Sequence, residues 1–501
     1  MAFLKKHRLL FVVCIGIIIV YLFSRLYNIL ELPIFTDEAI YVRWAQIAKQ
    51  DANWRFISLT DGKQPMFVWL AMIVMRFVED PLLAGRLVSV GAGFFTMIGL
   101  FFLGRELFKN KWVGILSSLM YLIFPMALVY DRMALYDSLV GTFAVWSLFF
   151  IVQLVLKVRL DTALLLGMVA GGGVLTKTSG FFSIYLLPLS LLLFDLRKKE
   201  KLLKWFFLAG ISVILTYLFY SVLRLSPFFH IINEKNAIFV YPLEEWLDHP
   251  FYFLIGNWKA LWDWTLRYLT WPPLLVAVLS FFVSRSFLKE KLLLFLWFII
   301  PIVGLAVFGN ALYPRFIFFM ILYLLPLIAY SLVNLYSRFK KRYLFVIFCL
   351  FIFILAARAD YYILNDFAHA PIPVSDLNQY SNDWPAGGGV KEAINFFREK
   401  SKITKIYVAT QGTFGLMPYS LEMYLVKNPN IKIEGFWPIG DTVPQKVIEQ
   451  SKKTPSYFVF YQPCVPCQGT GLAPQTWNYK TVLQVQKPVG NTYFTVYEIK
   501  P

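Results

Sequence analysis

Two acidic residues, Asp37 and Glu38, follow directly on a hydrophobic stretch in "FTDEAIYVRWA", which starts at Phe35. A positioned carboxylate can take a proton from a hydroxyl, and neighbouring carboxylates can also hold a divalent metal. A second acidic turn, "YDRMALYDS", carries Asp131, Arg132 and Asp137. Four cations complete the set: Lys63 in "DGKQP", Arg86, Lys177 in "TKTSG" and Arg315 in "YPRF". Single lysines and arginines near the end of a membrane span usually just snorkel to the headgroups. Four of them beside two acidic turns suit an anion, and a lipid phosphate lies at that depth. If a divalent metal takes part, Asp37 and Asp137 are its expected ligands.

The elements that must hold these residues are mostly apolar. The chain has 501 residues, 58% hydrophobic and 18% aromatic, against roughly 45–50% apolar in soluble domains. Runs of spanning length lie near 8–27, 82–104, 112–129, 138–156, 202–224, 270–285, 291–308, 315–333 and 342–358. Two shorter runs, 162–175 and 180–194, flank "TKTSG", which makes eleven spans. The first run is too long for a signal-peptide core and has no small-residue cleavage site after it, so it reads as a retained span. The run 65–77 is too short to span and reads as a helix lying in the interface.

Charge sets the orientation. The net charge is +18, which in a polytopic protein reflects basic cytoplasmic loops and not nucleic-acid binding. With 65–77 lying flat, "GRELFKNKW", "LKVRL", "DLRKKEKLLK", "SRSFLKEK" and "SRFKKRY" share the side of "LKKHR" near the N-terminus. That side is then cytoplasmic. The loop 28–81, the turns at 130–137, 176–179 and 309–314, the loop 225–269 and everything after 359 fall outside. The span interiors carry almost no charge, which fits catalysis at an interface better than coupled transport.

Residues 361–501 change character. Runs such as "KIYVAT", "SYFVFY", "YKTVLQV" and "YFTVYEIK" alternate with amphipathic stretches ("VKEAINFFREK", "YSLEMYLVKN", "VPQKVIEQSKK"), the pattern of a small α/β domain. Cys464 and Cys467 form "CVPC". Outside the cytoplasm, with no second Cys or His pair nearby, this favours a disulfide over zinc. The tryptophan-rich loop 225–269 reads as an aromatic belt, with Glu244, Glu245 and His249 as polar candidates for lipid or acceptor contact. In the opening motif Thr36 reads as a helix cap. Tyr41 and Trp44 read as an interfacial face that holds the acidic pair at lipid-phosphate depth.

In order, "DE" after the first span, "GKQP", an arginine in the next span, "R…LYD", "LTK" and "PRF" resemble the GT-C glycosyltransferases. The nearest group is the protein O-mannosyltransferase-like one, which includes the lipid A aminoarabinose transferases. The resemblance covers roughly residues 10–330, with "GKQP" and "PRF" as departures from the usual wording. It implies a mostly α, polytopic GT-C membrane domain over 1–360 and a C-terminal soluble α/β domain over 361–501, in the plasma (inner) membrane. The implied reaction is inverting transfer of a sugar, mannose-like, from a polyprenyl-phosphate donor to an acceptor glycan, lipid or protein at the extracytoplasmic face. A phosphate leaving group is a stable anion, so it needs cations more than a general acid, and the acceptor hydroxyl needs a base. Asp37 would be that base, with Glu38 beside it and Asp137 in the second acidic motif. Lys63, Arg86, Arg132, Lys177 and Arg315 would line the phosphate side, and Tyr41, Trp44, Glu244 and His249 would contact acceptor or lipid. A metal-dependent transferase of lipid-linked oligosaccharide and a glycolipid flippase are the alternative readings.

Overall fold

The computed structural model describes residues 8–195 and 197–500. The basic N-terminal residues before Arg8, on which the orientation argument leans, lie outside the described residues. Every apolar run expected to span is helical, but the eleven expected spans are not eleven spanning helices. Among the described residues, six helices pass as long and apolar enough to cross a membrane: Pro81–Phe108, Asp137–Lys157, Lys199–Leu225, Leu288–Phe308, Pro314–Arg338 and Arg342–Asn365. A seventh arises if Leu254–Leu269 and Trp271–Val283, bent by 98° at their junction, count as one broken span. The bend sits at Thr270, whose φ is +62°, and is followed by Pro272 and Pro273. Proline supplies no backbone N–H and fixes φ, so the helix cannot run through this point.

The other expected spans are shorter or interrupted. Leu160–Thr176 and Thr178–Leu193 are apolar but fall short of spanning length, whereas the first helix is described over Arg8–Leu26, 19 residues. The run 112–129 is split into Lys111–Leu122 and Pro125–Tyr130. The Thr178–Leu193 stretch alternates tight 3-10 turns with one turn of α-helix. In its first turn Gly180, lacking a side chain, lies on the backbone of Gly173; a Cβ there would come 2.3 Å from the Gly173 carbonyl carbon. The expected flat helix is Met66–Val74, nine residues long, about 13 Å at 1.5 Å per residue, which is too short to cross.

The C-terminal part forms a five-stranded mixed sheet. The strands β1 (Ile406–Gln411), β2 (Ile431–Phe436), β3 (Ser456–Phe460), β4 (Tyr479–Gln486) and β5 (Tyr493–Ile499) are ordered β2-β1-β3-β5-β4. β1 pairs in parallel with β2 and β3, and the β4–β5 hairpin adds antiparallel strands at the other side. β1 and β3 are buried along their whole length, as befits strands covered on both faces. β2 is an element that the sequence reading did not place. Val390–Ile403, Leu416–Leu425 and Gln445–Ser451 are the expected helices. Cys464 and Cys467 are joined in a disulfide, with their Cα atoms 5.2 Å apart.

This sheet domain is docked directly on the loop that carries Asp37. Gly387 N donates to Ile34 O at 2.7 Å and Thr36 N donates to Pro385 O at 3.0 Å, a short antiparallel bridge at Phe35–Ala386. The Thr36–Gln50 helix lies against Leu416–Leu425, tied by Arg43 to Glu422 at 2.8 Å and by Gln46 to the Met423 carbonyl at 2.9 Å.

Candidate active site

Adjacent residues on an α-helix point about 100° apart, and this separates Asp37 from Glu38. The helix starts at Thr36 with Phe35 at its cap position, so Thr36 is already helical. Its hydroxyl donates to Pro385 O and does not cap the helix. Glu38 turns inward and is fully buried. Arg86 grips it with both arms, Nε to Oε1 at 2.9 Å and Nη2 to Oε2 at 2.8 Å. The backbone N–H groups of Phe35 and Ala134 also donate to its oxygens. Arg86 further donates to the Leu32 and Pro33 carbonyls. This closed cluster lines no cavity and welds the first loop to the second acidic turn.

Asp37 points the other way. Arg315 Nη1 lies 2.9 Å from its Oδ2, an ion pair by distance whose angle makes no hydrogen bond. The Asp37 side chain keeps 17% exposure. Burial alone would raise its carboxyl, but Lys63 and Arg315 outweigh that and hold it below the ordinary carboxylate value. Lys63 donates to the Tyr41 hydroxyl at 2.9 Å. Burial draws the Lys63 ammonium down against the opposing pull of Asp37.

Next to these groups opens a cavity of about 720 Å³. One end is polar, with Lys63, Lys177, Lys235, Arg315 and Asp137 in its wall. The rest is apolar, built largely from Phe181, Phe182, Phe239, Leu305, Phe308 and Phe319. Lys177 Nζ lies 2.9 Å from Asp137 Oδ1 and 4.6 Å from the Phe316 ring centre. The structure thus brings Asp37, Lys63, Tyr41, Asp137, Lys177 and Arg315 to one place from five separate stretches of sequence.

Other expected site residues lie elsewhere. Arg132 donates to the carbonyls of Tyr27, Asn28 and Ile363, where it closes the end of the first helix and does not line the phosphate side. Trp44 is 1% exposed and packs between Tyr41 and Phe414, and Tyr41 is 3% exposed. Neither forms an interfacial face: Trp44 is a core residue, and Tyr41, though buried, belongs to the cavity wall and holds Lys63. Glu244 and His249 are exposed on and just after the short Leu243–Asp248 helix, outside the cavity wall. Asp131 anchors Arg25, with Tyr21, Tyr121 and Ser138 donating to it.

The cavity also contains residues that the sequence reading passed over. Gln64 Nε2 donates to Thr178 Oγ1 at 2.8 Å, and that hydroxyl donates to Asn236 Oδ1 at 3.2 Å. Lys235 pairs with Asp61 at 2.7 Å. Tyr136 lines the wall beside Asp137, and its buried hydroxyl has no hydrogen-bond partner. Gln64 and Tyr136 are sequence neighbours of Lys63 and Asp137, so the motifs had pointed within one residue of them. Lys235 and Asn236 sit in a short polar run of the loop, "NEKN". Behind Arg315, Tyr130 and Tyr268 both donate to Asp376 Oδ2, and Tyr380 packs on Phe35 with ring centres 4.9 Å apart.

Among the described residues no three His, Cys, Asp or Glu side chains converge as metal ligands. Asp37 and Asp137 each face a cation, so this donor set does not fit a divalent ion.

Residues 62–223 match the family model described as dolichyl-phosphate-mannose-protein mannosyltransferase. No curated protein sequence matches the chain. Among solved structures, ArnT from Cupriavidus metallidurans bound to undecaprenyl phosphate is similar at TM-score 0.59 and 13% identity, over 98% of each chain. The same protein in the apo state gives 0.58 and 15%, over 99% of this chain and 98% of that one. The archaeal oligosaccharyltransferase AglB from Archaeoglobus fulgidus, in complex with an inhibitory peptide and a dolichol-phosphate, gives 0.54 and 13%, over 91% of this chain and 69% of that one. The chain is a multi-pass membrane protein with the GT-C glycosyltransferase fold.

Proposed function

We propose that this protein is an inverting glycosyltransferase. It moves a sugar from a polyprenyl-phosphate carrier to an acceptor hydroxyl at the extracytoplasmic face of the membrane. The observation that carries this reading is one cavity with two chemistries, a cationic end beside Asp37 and a long apolar remainder. A polyprenyl phosphate is divided in the same way. Its phosphate would lie against Lys63, Lys177 and Arg315, and its isoprene chain against the phenylalanine wall. The match to the mannosyltransferase family model makes mannose the first sugar to test.

Asp37 is the base in this scheme. Its charge is shared with Lys63 and Arg315, which weakens it as a base. An arriving phosphate draws on both cations and adds its own negative charge nearby, so Asp37 becomes more basic when the donor is in place. The acceptor hydroxyl gives its proton to Asp37 as its oxygen attacks the anomeric carbon. The bond from that carbon to the phosphate oxygen breaks, and the polyprenyl phosphate leaves as an anion held by the cations.

The protein divides in this reading into a membrane domain to about residue 360 and an extracytoplasmic domain over 361–501. The basic loops favour this orientation. Purified protein given labelled polyprenyl-phosphate mannose and a membrane extract should transfer label. Asp37→Asn should lower the rate by about 10²–10⁴-fold, the usual share of a general base, with little change in thermal stability. Transfer by Asp37→Asn at the unaltered rate would remove Asp37 from the mechanism.

A further inference from the structure

The polar part of the cavity carries more cations than carboxylates, and it has one neutral side with polar groups left unused. Four cations, Lys63, Lys177, Lys235 and Arg315, stand in the wall. Three carboxylates pair with or lie beside them: Asp137 with Lys177, Asp61 with Lys235, and Asp37 with Arg315. Within this set one positive charge is left over, which is what a donor phosphodiester with a single negative charge would neutralise; Asp376 lies outside the wall, behind Arg315. Asp37, Asp61 and Asp137 each already face a cation, so none of the three is free to receive a second ammonium group.

The neutral side is formed by Gln64, Thr178 and Asn236, and Tyr136 lines the same cavity. Their hydrogen bonds run in one direction, from Gln64 Nε2 to Thr178 Oγ1 and from Thr178 Oγ1 to Asn236 Oδ1. The chain leaves Gln64 Oε1 as an acceptor and Asn236 Nδ2 as a donor, neither used by another described side chain. Gln64 is 3% exposed and Tyr136 is 4% exposed, and the Tyr136 hydroxyl has no partner. The Tyr136 hydroxyl is a buried polar group that costs free energy unless a ligand supplies its partner, and the half-buried Asn236 offers its free N–H to the same ligand. A sugar hydroxyl both donates and accepts, so it fits alternating acceptor and donor positions.

We propose that Gln64, Asn236 and Tyr136 read the donor's sugar and select a neutral, hydroxyl-rich sugar over one that carries an ammonium group. This rests on the polyprenyl-phosphate reading above and adds the class of sugar to it. An ammonium sugar would bring a second positive charge into a site already cationic in excess. Its ammonium group would also present only donors to Asn236 Nδ2, which needs an acceptor. A wall built to bond a substrate hydroxyl discriminates strongly against a ligand that leaves its groups unpaired.

The test uses the full-length protein in lipid nanodiscs and three probes: bare polyprenyl phosphate, polyprenyl-phosphate mannose and a polyprenyl-phosphate amino-deoxypentose. Binding is read by native mass spectrometry. The mannose lipid should bind at least about tenfold more tightly than the amino-sugar lipid, the scale of one well-satisfied buried hydrogen bond. Gln64→Leu and Asn236→Leu should each weaken the mannose lipid by about that factor while shifting the bare lipid phosphate much less. Gln64→Glu keeps an acceptor oxygen and adds a carboxylate, so it should narrow or reverse the preference against the amino sugar. Equal or tighter binding of the amino-sugar lipid overturns the proposal, as does an equal loss of bare and mannose lipids in the leucine variants. The comparison in the unaltered protein decides the matter even if a variant fails to fold. If bare polyprenyl phosphate does not bind, the donor reading fails together with this inference. If it binds without discrimination between sugars, only this inference fails.

Discussion

Asp37 and Glu38 are neighbours of the same type, and only their direction tells them apart. Glu38 and Arg86 form a fully buried, bidentate pair, so removing one partner leaves an uncompensated charge in the core. Glu38→Ala should therefore lower stability by about 3–5 kcal/mol, seen as a large drop in melting temperature and yield in detergent. Asp37→Asn should melt close to the unaltered protein. A stable, inactive Glu38→Ala would contradict the division of roles. Asp376 offers a second measurement at this scale. Burial pushes its carboxyl up to about 6 from the ordinary 3.8, against the hydrogen bonds that Tyr130 and Tyr268 donate and the pull of Arg315, and with Asp137 adding to the rise. Because the folded-state value is raised, the bound proton stabilises the fold fully below 3.8, and that contribution is lost as pH rises through about 6. The difference corresponds to roughly 3 kcal/mol at most. Asp376→Asn keeps an acceptor for both tyrosines but cannot ionise. The gap in melting temperature between about pH 4.5 and about pH 7 should be smaller in this variant than in the unaltered protein. An unchanged gap would mean that Asp376 does not titrate in this range.

At the scale of elements, the legible features were those that stand out in an apolar chain. Charged motifs were visible because each charge near a span must have a reason, and Lys63, Asp137, Lys177 and Arg315 do meet. The strands were visible as β-branched and aromatic runs, except β2, "IKIEGF", where a lysine, a glutamate and a glycine interrupt the pattern. The span count was not legible. Runs of similar hydropathy became long helices where they met membrane length, and broken ones where Pro or a close glycine contact intervened. Gln64 and Asn236 were missed because neutral amides give no charge signal, and their pairing needs the Ile231–Phe239 helix to lie over the cavity. That placement depends on Gly62, whose φ is +67°. A Cβ there would come 2.5 Å from Lys235 Cβ and 2.7 Å from Ile231 O. Gly62→Ala should cost about 1–3 kcal/mol through overpacking and push the covering helix outward. The KM for the donor should rise several-fold and kcat should change less. Lys235→Ala breaks a pair that is about one-quarter exposed, which at about 0–1 kcal/mol should shift stability much less than Gly62→Ala. Equal kinetics for Gly62→Ala and the unaltered protein would show that the helix does not cover the donor.

Over the whole molecule, the sheet domain is more than an appendage. Sequence alone marked 361–501 as a soluble unit, because composition changes there, and nothing in it revealed where the unit docks. Its leading segment threads Asp376 and Tyr380 under Arg315, and its first turn pairs with the residues just before Asp37. Lys487, on the sheet side, donates to the carbonyls of Asp383 and Ala386 and holds that turn in place. Two roles for the domain make different predictions. If it only recruits the acceptor, loosening the joint should abolish transfer but leave slow breakdown of the donor by water untouched. If it also positions Asp37 and Arg315, both reactions should fall together. Gly387 is the place to loosen it, because a Cβ there would come 2.4 Å from Ile34 Cγ2 and 2.5 Å from Ile34 O. Gly387→Val must push the two chains apart at the bridge, an overpacking cost of about 1–3 kcal/mol. We expect transfer and water-driven donor breakdown to decline in parallel by at least tenfold, since small misplacements at a reacting centre cost about that much or more. Limited proteolysis should then cut the turn around residues 383–389 faster while the sheet itself stays resistant. Donor breakdown at the unaltered rate in a Gly387→Val protein that no longer transfers would assign the domain to acceptor recruitment alone.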